Sequence, residues 1–296
     1  MGQRRQHCLR TGSAGVDLSR DEHAPRDERA VAPPDDFYYA SLFMAPPRRH
    51  ALRVFEALRR AITDIPGSCS DRGVAHLKLT WWQTELQQLA AGHARHPLAH
   101  ALLPLLDTKP TLLAVLEALL DATIRGLNVA TLGDQAALVQ WLVQQQGGVF
   151  DYYIDASAPL NAEQRQALID IGALLELTYA LRGLRQQRRA LPLLLPESAL
   201  RAAGLSADSV RTASDSRPLA AVLMPHAAQL RSELSARCAA LPRAVRRQQR
   251  LLVTLAACAG EALALTEADA CRVLERRIEM LPVRKLWLAW RIARWG

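Results

Sequence analysis

Acids one helical turn apart, a short run of histidines and a large excess of arginine are the residues of this chain that could do chemistry. Asp151 and Asp155 form a literal D-x-x-x-D in Phe150-Asp151-Tyr152-Tyr153-Ile154-Asp155. On a helix that spacing puts both carboxylates on one face, where their hard oxygens could hold magnesium. A solvated helix end accounts for the pair more simply. His93, His96 and His100 are spaced as zinc ligands could be, but Pro97 interrupts the helix that would align them, which favours a structural turn. Glu176 lies six residues before Arg182 and reads either as a ligand or as a partly buried acid paired with an arginine. Asp35-Asp36 reads as the polar lead-in to the first helix.

Arginine dominates the cations: only Lys78, Lys109 and Lys285 are lysines among 37 basic residues, and the net charge is +8. Guanidinium groups bind phosphates and carboxylates in a bidentate fork, so an anionic ligand is permitted. A GC-rich genome produces the same bias with no function attached. The positive charge is spread along the chain and is not interleaved with aromatics, which argues against nucleic acid.

The elements that must position these groups are helices. Half of the 296 residues are hydrophobic, enough for a substantial core, and alanine, leucine, glutamine and arginine, all good helix formers, prevail from Phe37 onward. Leu52, Phe55, Leu58 and Ile62 recur at three-to-four-residue spacing over His50 to Ile65. Similar periods predict helices over about 74–92, 98–107, 111–126, 134–154, 161–185, 217–240, 244–265 and 267–280, with a last one from about 283. Alternating strand patterns are missing. Residues 1–34 read as a flexible tail of mixed charge ending at Ala32-Pro33-Pro34, and 35–296 as one all-α domain, with Leu205 to Arg217 its best candidate for a longer loop. Five scattered cysteines without a CxxC pair argue against a disulfide scaffold or a zinc knuckle. No apolar stretch reaches the roughly 20 residues that span a bilayer. The expected location is the cytoplasm, with possible contact to a membrane surface.

Several segments then fall into a known order. Phe37-Tyr38-Tyr39-Ala40 precedes a proline pair and an arginine-rich helix ending in Leu58-Arg59-Arg60. Leu79-Thr80-Trp81-Trp82-Gln83-Thr84-Glu85-Leu86 is followed by Gly92, His96-Pro97 and Ala101-Leu102. Further on come Gly147 and Val149, then Glu176-Leu177-Thr178-Tyr179-Ala180-Leu181-Arg182-Gly183, Leu195-Pro196-Glu197 and Val283-Arg284-Lys285-Leu286. In type and order these resemble the squalene/phytoene synthase family from about Asp36 to Trp295. The resemblance implies an antiparallel helical bundle around a central cavity. It also implies magnesium-dependent, head-to-head condensation of two prenyl diphosphates, with the metals held by two aspartate-rich helix motifs. It places substrate contacts at Tyr38, Arg60, Glu176, Tyr179 and Arg182.

At the two motifs the chain departs from the family. After Arg60 the sequence is Thr63-Asp64-Ile65-Pro66-Gly67, so Thr63 and Gly67 stand where paired aspartates belong and Asp64 alone remains. After Arg182, Gly183 and Gln187 replace the second pair. Asp36 stands where the family has serine, and Glu56 where it has tyrosine. Two readings result. In the first the protein keeps the fold, needs no cofactor and binds an isoprenoid diphosphate or lipid, or serves as a scaffold for a protein partner. A mitochondrial complex I assembly factor in the family likewise lacks intact motifs. In the second it is an active prenyltransferase making squalene, phytoene or a related isoprenoid with magnesium. The missing carboxylates favour the first. Arg60 and Arg182 are expected to face one cavity and, without carboxylates, to form a positive pocket. The last helix, Arg284 to Trp295, mixes cations with tryptophan and leucine. It reads first as a packed helix and second as a membrane-interface helix.

Overall fold

The structure, a computed structural model, describes residues 35–295 except Ser70, Ala158, Arg189 and Ala190; the tail expected over 1–34 lies outside the described residues. Those residues form helices α1 (Asp36–Ser41), α2 (Pro46–Thr63), α3 (Ile65–Ser68), α4 (Arg72–Ala90) and α5 (Pro97–Leu106). Next come α6 (Thr111–Gly126), α7 (Gln135–Tyr153), α8 (Ala162–Arg182), α9 (Leu184–Gln187), α10 (Glu197–Ala202) and α11 (Ala207–Thr212). A 3₁₀ turn at Arg217–Leu219 leads into α12 (Ala220–Ala240), α13 (Arg243–Gln248), α14 (Arg250–Ala268) and α15 (Pro282–Trp295). The described residues hold no strand, only an isolated bridge between Leu132 and Pro196. The all-α bundle expected from the sequence is what forms.

Helices α4, α5, α7 and α8 start where a side chain can accept their free amides, whereas α2, α6, α12 and α14 start without a side-chain cap. Asp71 caps α4 and Asp134 caps α7, while Asn161 and Gln164 form a reciprocal capping box on α8. His96 accepts from the Leu98 amide at the start of α5 and its ring packs against Trp82. Glu85 completes this corner, one buried oxygen accepting from the amides of Arg95 and His96 at 2.7 Å each. The His-Pro segment is therefore the structural turn expected of it.

Helix α8 is the axis of the bundle. Leu168, Ile171, Leu174, Leu175, Leu177, Thr178 and Leu181 bury most of its circumference against α7, α12 and α14, as a helix apolar all round requires. Gly172 lies directly against α7, where an added Cβ would come within 2.4 Å of the Phe150 ring. Gly172→Ala is therefore expected to destabilise the protein by about 1–3 kcal/mol through overpacking, although alanine is the better helix former by about 1 kcal/mol. At Gly147 the nearest atom to an added Cβ lies 3.9 Å away, so Gly147→Ala should be neutral or stabilising. Urea denaturation of the two variants would show it, and equal midpoints would refute the contact.

Three helix boundaries differ from the periodicity, two of them because a distant contact overrides it and the third because of a local cap. The run over 244–265 is broken at Gln249, whose amide accepts from the Asp155 backbone N–H and donates to the Asp155 carbonyl, both at 2.8 Å. The helix expected over 267–280 stops at Ala268. Ala270 and Cys271 take φ of 53° and 52°, and Ser216 then draws the chain away. Its N–H and hydroxyl donate to Glu275, and its hydroxyl oxygen accepts from the Leu274 amide. The loop expected at Leu205 to Arg217 contains α11, started by a capping box of Ser206 and Ser209.

Among the described residues one helix, α14, is long and apolar enough to cross a membrane by length and composition. It packs on α1, α8, α12 and α15 and buries Leu251, Leu252, Leu255, Ala259 and Leu263, so the core accounts for its apolarity.

Candidate functional site

The two segments that depart from the family pattern face each other. Helix α2 ends at Thr63, Asp64 is exposed at the junction, and Gly67 lies in α3. Helix α8 ends at Arg182, Gly183 caps it, and Gln187 closes α9. Helix α3 packs on α9, so both short segments border one region of the bundle. A Cβ at Gly183 would sit 3.0 Å from the Tyr179 carbonyl oxygen and 3.6 Å from the Gln187 amide, so the backbone there leaves little room for an aspartate.

Beside these segments lies a network of paired charges. Arg59, buried in α2, donates to both oxygens of Glu56 at 2.7 and 3.0 Å and meets Glu176 of α8 at 3.1 Å. Glu56 also accepts from Arg60 and from the buried hydroxyl of Tyr153 on α7. Arg60 reaches onward to Asp35. Arg182 donates to Asp36 at 3.1 Å, and Lys285 of α15 holds the other Asp36 oxygen at 2.7 Å, an ion pair without hydrogen-bond alignment. Arg60 and Arg182 thus converge on consecutive acids at the start of α1.

Two expectations are overturned here. Asp35 is the expected polar lead-in, accepting from the Tyr38 amide at the start of α1, but Asp36 is not, being 6% exposed and held by two cations. Nor do Arg60 and Arg182 form a bare positive pocket. Asp35, Asp36, Glu56 and Glu176 stand against Arg59, Arg60, Arg182 and Lys285, charge for charge. Glu176 is the ion-paired acid of the simpler reading, although its partner is Arg59 on another helix.

The titration of these groups follows from burial and pairing. Burial would raise Glu56, but Arg59, Arg60 and the Tyr153 hydroxyl outweigh it and bring the carboxyl down to about 2. Burial likewise works to raise Asp36, and Arg182 and Lys285 hold it low. At Glu176 burial prevails over the pull of Arg59 and, with the nearby Glu56 charge, raises the carboxyl. Tyr179 is pushed well up by burial and then by Asp36. Tyr38 lies at the rim, its ring 4.4 Å from the Arg53 guanidinium.

Arg59 and Lys285 lie in segments matched along the chain, but that match gives them no role at the site. A signal for Arg59 exists: it continues the stripe Leu52, Phe55, Ile62 and so belongs to the buried face of α2. Lys285 sits likewise on the face of Leu288, Ala289 and Ile292.

The other candidates disperse. Asp151 pairs with Arg165 of α8, while Asp155 lies beyond the end of α7 and accepts from the Ser157 amide, so they share no face. An open groove of about 630 Å³ between α7, α8 and α12 is lined by Val139, Gln140, Val143, Asp170, Glu233 and Arg237 among others, and by none of the motif residues.

The sequence profile of squalene/phytoene synthases matches residues 33–285. The chain belongs to the squalene/phytoene synthase family. Two solved structures are similar to this family member. One is a dehydrosqualene synthase in complex with ligand, 15% identical, with a TM-score of 0.66 over 88% of this chain and 91% of that one. The other is the squalene synthase HpnC from Alicyclobacillus acidocaldarius, 18% identical, with a TM-score of 0.56 over 79% of this chain and 88% of that one. At those identities the likeness establishes the fold. No curated protein is a significant match by sequence.

Magnesium, which the family implies, does not suit the donors present in this squalene/phytoene synthase relative. Thr63 and Gln187 offer neutral oxygens, Gly67 and Gly183 offer no side chain, and Asp36, Glu56 and Glu176 are engaged by cations, which leaves Asp64 as the single motif carboxylate where two facing pairs are needed. No group of three His, Cys, Asp or Glu among the described residues is placed to hold a metal ion.

Proposed function

We propose that this protein is a squalene/phytoene synthase relative that does not turn over prenyl diphosphates and acts by binding an isoprenoid or other lipid, or as a scaffold for a protein partner. One observation carries the reading: the acids bordering the motif segments, apart from Asp64, are neutralised by Arg59, Arg60, Arg182 and Lys285. A synthase needs carboxylates free to draw magnesium from its water shell and so neutralise a diphosphate leaving group. Here the acids hold the protein together instead. The cations are equally committed, so a diphosphate would have to break existing pairs to be held, and binding it would activate it little. A neutral lipid chain meets no such cost.

Incubating the purified chain with farnesyl or geranylgeranyl diphosphate and magnesium, then extracting products, is expected to yield no squalene, dehydrosqualene or phytoene. The variant with aspartate at 63, 67, 183 and 187 should remain inactive, since Gly183 is crowded and the surrounding charges are paired. Magnesium-dependent hydrocarbon formation by the unmodified chain, abolished by EDTA, would overturn the reading.

A further inference from the structure

Helix α15 is apolar on two sides. Lys285, Leu288, Ala289 and Ile292 face inward and are buried. Val283, Leu286, Trp287 and Trp290 recur at the same spacing on the opposite side and are exposed, Val283 by 77% and Trp290 by 43%. Leu281, just ahead of the helix, is 74% exposed. A helix that only packed on the bundle would carry polar residues there.

This outer face carries cations and no acid. The guanidiniums of Arg284 and Arg291 lie 4.6 and 4.5 Å from the Trp287 ring, and Arg294 follows Trp290 by one turn. Among the described residues the ion pairs of α15 are Arg284 with Glu261 and Lys285 with Asp36, which leaves the charges of Arg291 and Arg294 available to an outside partner. The family match stops at residue 285, short of Leu286, Trp287 and Trp290.

We propose that the outer face of α15 docks the protein on an anionic lipid bilayer. Fourteen residues make a helix of roughly 21 Å, short of the roughly 30 Å hydrocarbon core, so α15 lies in the interface without spanning it. Val283, Leu286, Trp287 and Trp290 enter the boundary between headgroups and acyl chains, where indole rings are favoured. Arg291 and Arg294 meet the anionic headgroups. Charge complementarity selects this occupant: a patch of rings and guanidiniums without acids suits an anionic surface of fluid geometry. The inference holds whether or not the site is catalytic.

The test is sedimentation of the full chain with vesicles of phosphatidylcholine, alone or mixed with phosphatidylglycerol. Binding should require phosphatidylglycerol and weaken with salt. R291Q/R294Q should reduce it roughly 30-fold, about fivefold for each charge, and W287S/W290S by about tenfold or more. Both variants alter exposed side chains, so circular dichroism and melting should match the parent. No binding, or equal binding to both vesicle types by parent and variants, would overturn the proposal. So would a dimer in light scattering that W287S/W290S converts to monomer without any lipid binding, since the face would then serve a second copy of the chain.

Discussion

Replacing Arg59 by methionine is expected to cost the fold roughly 3–5 kcal/mol, the loss typical of removing one member of a buried ion pair. Among the described residues its guanidinium alone bridges Glu56 of α2 and Glu176 of α8. Without it two acids remain in a low-dielectric region with reduced compensation. The loss should belong to the stranded charges and not to missing contacts, because methionine nearly fills the same volume. Adding Glu56→Gln and Glu176→Gln in the same chain should therefore recover most of the stability, as whole buried ionic clusters can often be replaced at little cost. Urea midpoints of the single and triple variants decide the matter. A single-variant loss below about 1 kcal/mol, the range of solvent-exposed pairs, would mean that water reaches the cluster.

The second large effect is a loss of stability in acid. Glu56 falls from 4.5 to about 2 on folding, so its contribution is complete above pH 4.5 and disappears as the pH drops through 2. The difference corresponds to about 3 kcal/mol, and Asp36, also held low, acts in the same direction. Glu176 acts oppositely. Its carboxyl is raised, so the fold gains stability as the pH falls through its folded value towards 4.5. Stability measured by urea unfolding should thus rise gently towards pH 4.5 and then fall steeply. In Glu176→Gln the gentle rise should vanish while the acid fall remains. A flat profile between pH 4.5 and 2 would contradict the buried pairing of Glu56.

The helical bundle was legible in the sequence because its signal is local. The spacing of Leu52, Phe55, Leu58 and Ile62, or the Asn161-to-Gln164 cap of α8, needs no knowledge of the rest of the chain. What escaped it depends on long-range partners. Nothing near Gln249 announces that its amide will pair with the Asp155 backbone, and Ser216 gives no hint of Glu275. The candidate site divides the same way. The places of Thr63, Gly67, Gly183 and Gln187 were readable in order along the chain, and so was the lack of acids there. That Asp36 would be buried against Arg182 and Lys285 was not, because three segments more than a hundred residues apart meet at that point.

The charge-for-charge balance around α1, α2 and α8 also limits how this sequence can change. An acid regained at Thr63 or Gln187 finds the neighbouring arginines already taken and adds repulsion before any metal is present to reward it. A cation lost alone strands its carboxylate. Substitutions within this network are therefore expected to be non-additive, a coordinated set costing less than the sum of its single changes. Such a network acts as a ratchet, so that motif aspartates, once gone, are not recovered by single steps.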